Sequence, residues 1–150
     1  MMRHLGGDAG RVEVNRVKFG MNERPSYFVD YHYRSGAYGR LSILPEAGLN
    51  VERYTVHAHG VTVCLETPLD WTVDYPGRIL YNNGRERHFI QDNRNFPPGD
   101  NAEVTGFLGE SEHFIDCLLN GRQMQPSLED CLQSILIAEA VQAGKSVDLP

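Results

Sequence analysis

The sequence predicts an α+β protein in which a mostly antiparallel or mixed β-sheet is covered by helices on one face. Roughly the first 100 of the 150 residues alternate between apolar and polar positions, as strands do, and helical spacing is confined to the remainder. No strand–helix–strand repeat occurs, which favours antiparallel pairing over a parallel sheet. With 41% hydrophobic and 23% charged residues the composition is that of a globular protein, so we expect a single domain spanning residues 1–150.

The predicted strands are separated by short turn sequences. Residues 11–19 alternate, with a change of phase that predicts a β-bulge near Asn15–Arg16. Residues 27–34 and 38–44 flank Ser35-Gly36-Ala37, which is the pattern of a β-hairpin. Gly60 and the run Asn82-Asn83-Gly84 mark two further hairpin turns. The remaining predicted strands are 51–58, 61–66, 71–75, 79–81 and 87–90.

Two helices are predicted in the last third of the chain. The first covers residues 102–120 and is stopped by Gly121. The second begins at Ser127, a good N-cap whose capping-box partner is Asp130, and ends at Gly144. Its apolar positions are so numerous that we expect the helix to be well buried. They are Leu128, Cys131, Leu132, Ile135, Leu136, Ile137, Ala138, Ala140 and Val141.

Charge and composition exclude several classes of protein. The net charge of −6 and the scattered basic residues argue against nucleic-acid binding, which needs clustered Lys and Arg. No apolar run approaches the ~20 residues of a membrane span, and residues 1–10 lack the apolar core of a secretory signal. Three cysteines in apolar surroundings indicate free thiols rather than a disulfide framework. We therefore expect a cytoplasmic protein with neither a membrane nor a nucleic-acid partner.

The segment from Glu110 to Leu149 resembles the closing helices of the Gfo/Idh/MocA oxidoreductases. Glu110 to Gly121 follows the family pattern E-x-x-x-F-x-x-x-x-x-x-G, and Pro126 to Asp130 follows its next helix start. Ala138-Glu139-Ala140 and a short final strand complete the likeness. The segment between them is shorter than is common in the family, so the second helix is expected to end a turn early.

Earlier motifs extend the resemblance over nearly the whole chain. Leu5-Gly6-Gly7-Asp8 is similar to the family's exit from a helix into the first sheet strand. Residues 33–39 resemble its F-x-N-G-A-x-G hairpin, and residues 56–63 its I-x-G-x-x-G strand pair, although the second glycine is absent here.

The resemblance implies the C-terminal half of a two-domain enzyme whose N-terminal Rossmann domain is missing. The family's G-x-G-x-x-G phosphate turn, its E-K-P lysine and its D-x-G-x-H motif have no counterpart among these residues. The family implies an NAD- or NADP-dependent dehydrogenase acting on a sugar, inositol or related polyol. We expect this domain to shape the substrate pocket and mediate oligomerisation, to bind no cofactor, and to be inactive alone. No catalytic or cofactor-binding residue is assigned.

His57 and His59 are the candidate metal ligands. Two apart in a predicted strand, they would point to one face, and His32, Asp30 or Glu66 could supply a third ligand. The alternative function is therefore a free-standing small-ligand or metal-binding module using the His57/His59 face. A polar strand face, or part of a partner interface, accounts for the pair more simply than a metal site does, since no ligand signature with defined spacing is present.

Aromatic residues are concentrated in the predicted strands. They could form a sugar-stacking surface, but period-2 aromatics are the usual content of packed sheets and interfaces. Because helices cover only one face of a sheet, we expect an apolar open face and a homo-oligomer formed through it. The residues in question are Tyr27, Tyr31, Tyr33, Tyr38, Trp71 and Tyr75.

Overall fold

The computed structural model describes residues 2–19, 24–48, 51–67, 77–91 and 106–150. Within these ranges the α+β class is confirmed. The predicted strand 71–75, with Trp71 and Tyr75, and residues 102–105 of the first predicted helix lie outside them. In chain order the elements are α1 (Met2–Gly6), β1 (Ala9–Val17), β2 (Ser26–Tyr33), β3 (Tyr38–Ile43), β4 (Glu52–Ala58), β5 (Val61–Thr67), β6 (Arg78–Asn82), β7 (Arg87–Gln91), α2 (Phe107–Leu119), α3 (Leu128–Ala143) and β8 (Val147–Asp148).

The chain divides into two compact units. The first comprises the residues up to Ala47 together with Gln123–Pro150, and the second comprises Gly48–Arg122. The first unit holds sheet A, with strand order β3-β2-β1-β8, and the second holds sheet B, with order β4-β5-β6-β7. Every pairing among the described strands is antiparallel, which confirms the predicted predominance of antiparallel pairing. A single domain over residues 1–150 stays a prediction.

The β-bulge in β1 lies at Gly10, so its predicted place near Asn15–Arg16 is wrong. The register with β2 shifts between Ala9 and Arg11 and then runs unbroken to Val17. Ala9 and Val12 are both fully buried although they are three positions apart, a spacing that regular alternation cannot produce. The extra residue at Gly10 restores the phase and keeps both side chains in the core.

The core of the first unit lies between sheet A and α3. Val12 and Val29 are fully buried at adjacent strands, and Ile137 of α3 is 5% exposed against them. Within α3, which the structure describes in full, Ile137 is the one buried residue. Leu128 is 88% and Leu132 56% exposed, so the prediction of a well-buried helix is wrong. The prediction followed from apolar residues on several faces of α3. Sheet A covers only one of these faces, so the others remain exposed.

The predicted turns are confirmed where glycine provides the conformation. Gly36, in the β2–β3 hairpin, and Gly60, in the β4–β5 hairpin, have φ of 85° and 69°, which L-residues rarely adopt. In the β6–β7 turn the Asn83 side chain accepts the backbone N–H groups of Arg85 and Glu86 at 3.0 and 2.7 Å. This Asx-type bonding explains why the Asn-Asn-Gly run forms the turn.

The helix ends also follow local chemistry. The Ser127 hydroxyl accepts the Asp130 N–H while the Asp130 carboxylate accepts the Ser127 N–H, which completes the predicted capping box. Gly144, with φ of 65°, closes α3, and its N–H and that of Lys145 donate to carbonyls of the last turn. Gly121 closes α2 in the same way. Among the described residues, none of the helices combines the length and the hydrophobicity that a membrane span requires.

Candidate functional site

One face of sheet B presents polar side chains in rows, and this surface, called here the polar face, is the candidate site. Strand pairing aligns the residues across four strands, and alternation places every second residue on the same side. The first row is His57, Thr62, Asn82 and Arg87, the middle row is Thr55, Cys64, Leu80 and Phe89, and the third row is Arg53, Glu66, Arg78 and Gln91.

The first row can exchange hydrogen bonds with a ligand. His57 Nδ1 and Thr62 Oγ1 share a hydrogen bond of 3.0 Å, and both Asn82 and Arg87 are exposed. A pocket of about 370 Å³ opens between the first and middle rows, lined by Thr62, Cys64, Leu80 and Asn82 among others. That volume lies within the ~300–1,000 Å³ typical of small-molecule sites.

The third row is an ion-pair triad. Arg53 Nε donates to Glu66 Oε1 at 2.7 Å, and Arg78 Nη2 donates to the other oxygen, Oε2. The Glu66 side chain is 23% exposed, whereas the two guanidinium groups are about half exposed at 57% and 49%. Two cations around one carboxylate leave this group with a net charge of +1. Because its members are partly exposed, the triad contributes little to stability.

The middle row separates these polar rows with an apolar strip. Leu80 and Cys64 are half-buried, and the Phe89 ring, on edge strand β7, is 61% exposed. An exposed ring flanked by donors and acceptors is suited to stacking against the apolar face of a sugar, with the hydroxyl groups bonded on either side.

The opposite face of sheet B is largely apolar. Its apolar and aromatic members are Tyr54, Val56, Val63, Leu65, Ile79, Tyr81 and Ile90, and His88, Glu52 and Thr67 are polar members in the same register. The two faces therefore have different chemistry although the same strands build both, which follows from the period of two along each strand.

The open face of sheet A, opposite its core, is organised around Asp30. Arg40 donates to both carboxylate oxygens, Nε to Oδ1 at 2.6 Å and Nη2 to Oδ2 at 2.9 Å, and Tyr38 donates its hydroxyl to Oδ1. The Arg40 bonds first, and the Tyr38 bond second, hold the pKa of Asp30 below its ordinary value. The same bond raises the pKa of Tyr38, because its phenol donates to an anion.

Charges continue across this open face. Arg11 pairs with Glu13 at 3.0 Å and with Asp148 at 2.8 Å, and His32 stands 3.8 Å from Glu13. The predicted apolar character therefore does not hold for this face of sheet A, whereas sheet B does have a largely apolar face with Ile79 and Ile90 exposed. Three tyrosines of the aromatic set lie on the side of β2 that packs in the core, where burial raises the pKa of Tyr33 to about 12.

The predicted metal pair is not formed as a strand pair. His57 is in β4, but the strand ends at Ala58 and His59 lies in the hairpin turn, so the expectation of two strand residues on one face is wrong. Of the three proposed third ligands, Asp30 pairs with Arg40, Glu66 pairs with two arginines, and His32 lies 3.8 Å from Glu13. No group of three metal-ligating side chains occurs among the described residues.

Sequence reasoning missed most of the polar face. It singled out His57 as a candidate metal ligand and Glu66 as a possible third ligand, and it predicted residues 87–90 as a strand, which is β7 at the edge of sheet B. No sequence pattern marked Asn82, Phe89 or Arg78 as site residues, because their proximity depends on the register between strands. The alternation within each strand could have indicated that one side is polar. It could not have indicated which residues of neighbouring strands lie in the same row.

The described residues contain no phosphate-binding turn of the Rossmann type. Phosphate binding in Rossmann domains uses a glycine-rich turn between a strand and a helix of a parallel sheet. Every strand pair here is antiparallel, and the hairpin glycines connect strand to strand. The residues present therefore offer no counterpart to that cradle.

The fold resembles that of several oxidoreductases of known structure. The aldose-aldose oxidoreductase from Caulobacter crescentus, complexed with glycerol, matches with a TM-score of 0.72 and 17% identity over 99% of this chain and 44% of its own. Levoglucosan dehydrogenase, in complex with NADH and L-sorbose, matches with a TM-score of 0.66 and 14% identity over 99% and 46%. The Bacillus subtilis protein yvaA gives 0.63 and 16% over 99% and 49%.

The chain thus spans less than half the length of the proteins that it resembles. No protein-family model and no curated protein sequence matches it. The shared fold agrees with the resemblance read from the closing helices and from the exit of α1 into β1. The chain has the α+β fold of the C-terminal part of the Gfo/Idh/MocA-type oxidoreductases.

Proposed function

We propose that this chain is the substrate-side part of an NAD(P)-dependent oxidoreductase that acts on a sugar, inositol or related polyol. The observation that carries the proposal is the likeness over 99% of the chain to enzymes whose structures hold glycerol or L-sorbose. In the complete enzyme, NAD or NADP binds to a separate Rossmann domain, and the chain described here is cytoplasmic and inactive alone.

The polar face of sheet B supports a role in holding polyols. Neutral sugars are recognised by side chains that donate and accept hydrogen bonds beside an aromatic ring, and the rows around Phe89 have this composition. Polar groups on strands are also better positioned than polar groups on loops, because the sheet restricts their motion.

The second part of the proposal is self-association through the open face of sheet A. Its charges are already paired within the sheet, Asp30 with Arg40 and Arg11 with Glu13 and Asp148. A face with internally paired charges can be buried without leaving an isolated ion, which would be costly. Such an interface is polar and bridged by water rather than hydrophobic.

The proposal is tested by calorimetric titration of the purified 150-residue chain with NAD⁺, NADH, NADP⁺ and NADPH. We expect no binding, whereas a saturable dinucleotide complex would contradict the proposal that the cofactor binds to a separate domain. A parallel NMR titration with myo-inositol or glucose is expected to perturb residues of the polar face of sheet B. Elemental analysis provides a separate check, because a stoichiometric metal would favour the binding-module alternative built on His57 and His59.

A further inference from the structure

The third row of the polar face carries more positive charge than its own carboxylate neutralises. Arg53 and Arg78 flank Glu66 and bind one oxygen each, so among the described residues the triad retains one net positive charge. A guanidinium group has five N–H donors in a planar fork. Each arginine therefore keeps donors for a further acceptor, and the half-exposed positions of both make those donors reachable from solvent.

Guanidinium pairs favour one kind of acceptor. The planar fork of arginine matches the two oxygens of a carboxylate or a phosphate, and such charge-assisted bonds are stronger than bonds between neutral groups. A neutral polyol would gain nothing from the excess positive charge of the triad, whereas an anionic group would form charge-assisted bonds with it. The charge balance thus points to a ligand that has an anionic group at this row.

The spacing of the rows indicates what accompanies the anion. Rows two residues apart along a strand are separated by about 7 Å. An anion at the arginine row therefore places a directly attached sugar ring over Leu80 and the exposed Phe89 of the middle row. Hydroxyl groups on the far side of that ring then face the pocket and the donors and acceptors of Thr62 and Asn82.

We infer that the polar face of sheet B binds an anionic sugar, with its carboxylate or phosphate between Arg53 and Arg78 and its ring against Phe89. The inference rests on the proposed function and narrows its substrate class from sugars and polyols in general to acidic or phosphorylated ones. In this arrangement the two arginines bind the anionic group, and the residues of the first row bind the hydroxyl groups.

The test is an NMR titration of the ¹⁵N-labelled 150-residue chain with four ligands: D-glucose, D-glucuronate, D-glucose 6-phosphate and inorganic phosphate. At least one anionic sugar is expected to bind ten or more times more tightly than glucose, with shifts at Leu80 and Phe89. Preference for glucuronate identifies a sugar acid as the ligand, and preference for the 6-phosphate identifies a phosphosugar. Phosphate alone is expected to shift the arginine row but not Phe89.

Substitutions separate the role of charge from that of folding. Arg78→Gln is expected to reduce the affinity for the anionic sugar about tenfold, towards that for glucose, while Arg85→Gln in the β6–β7 turn leaves it unchanged. Glu66→Gln keeps an acceptor for the arginines but removes the negative charge, so it is expected to raise the affinity. The dispersion of each variant's amide spectrum reports whether sheet B is intact.

Equal affinities for glucose and both anionic sugars would overturn this inference and leave the proposed function standing. The absence of binding by either anionic sugar, or an unchanged affinity in a folded Arg78→Gln variant, would also overturn it. Failure of the proposed function has a different signature, namely dinucleotide binding by the isolated chain.

Discussion

Arg40 donates two parallel hydrogen bonds, 2.6 and 2.9 Å long, to the carboxylate of Asp30 on the neighbouring strand, on the open face of sheet A. The two residues are directly opposite in the β2–β3 register, so strand pairing alone brings the guanidinium fork to the carboxylate. Asp30 is only 8% exposed although it lies on the side away from the core, because its neighbours cover it. An unpaired carboxylate could not remain there without cost.

Low pH should reduce the free energy of unfolding of the first unit, because Asp30 becomes protonated. Since the bonds from Arg40 and Tyr38 lower the pKa of the folded-state carboxyl, the unfolded chain binds its proton at a higher pH. The contribution of ionised Asp30 to the free energy of unfolding is complete above the pKa of the unfolded chain, about 4, and is lost as the pH falls through the lower pKa of the folded state. Urea unfolding from pH 6 to pH 3 should therefore be less pH-dependent in Asp30→Asn than in the wild type. Parallel profiles for the two proteins would contradict this assignment.

Gly6 is expected to be intolerant of a side chain. A β-carbon at this position would overlap the ring of Tyr33, whose hydroxyl donates to the carbonyl of Met2 at 3.1 Å. Gly6→Ala should therefore lower the free energy of unfolding by about 1–3 kcal/mol, as overpacking does. Gly109→Ala in α2, which meets no neighbouring atom within 4 Å, should instead stabilise by up to about 1 kcal/mol. Chemical denaturation of both variants provides the comparison, and a neutral Gly6→Ala would rule out the close packing.

The capping box at Ser127 should be worth about 1 kcal/mol to the free energy of unfolding. Ser127→Ala removes the acceptor for the Asp130 N–H, and that donor then has to bond to water. Ser127→Asp retains an acceptor and serves as the matched variant, for which we expect nearly wild-type stability. Denaturation by urea, followed by far-UV circular dichroism, distinguishes the two. Equal losses in both variants would mean that the hydroxyl acts through some contact other than the cap.

Self-association through the open face of sheet A should be sensitive to Phe28. This residue lies between Asn15 and Ser42 in the register, on the same side as Asp30. Phe28→Lys would place a new charge within an interface whose existing charges are paired, and we expect the dissociation constant of the oligomer to rise at least tenfold. Glu129→Lys on α3 is the control and should leave it unchanged. Sedimentation velocity measures both, and a wild-type monomer at all accessible concentrations would exclude the oligomer.

Local chemistry explains which parts of the fold could be predicted. The Asn82-Asn83-Gly84 turn, the Ser127–Asp130 capping box and the stop at Gly144 each depend on residues within a few positions of one another, and all three are confirmed. The exit of α1 into the first strand at Gly6-Gly7 is equally local. Sequence reasoning was also right about the antiparallel pairing, because closely spaced strands joined by tight turns have no other option.

The sequence by itself determined the kinds of element, their order, and the lack of a glycine-rich phosphate turn. The tertiary structure decided the division of the strands between two sheets, the bulge at Gly10, the exposure of Leu128 and Leu132, and the rows of the polar face. The physical reason is the range of the interactions involved. Turns and caps are formed by neighbours in the chain, whereas register and burial arise from contacts between distant segments. Arg53, Glu66 and Arg78 meet because two pairings align them, and no pattern within a single strand contains that information.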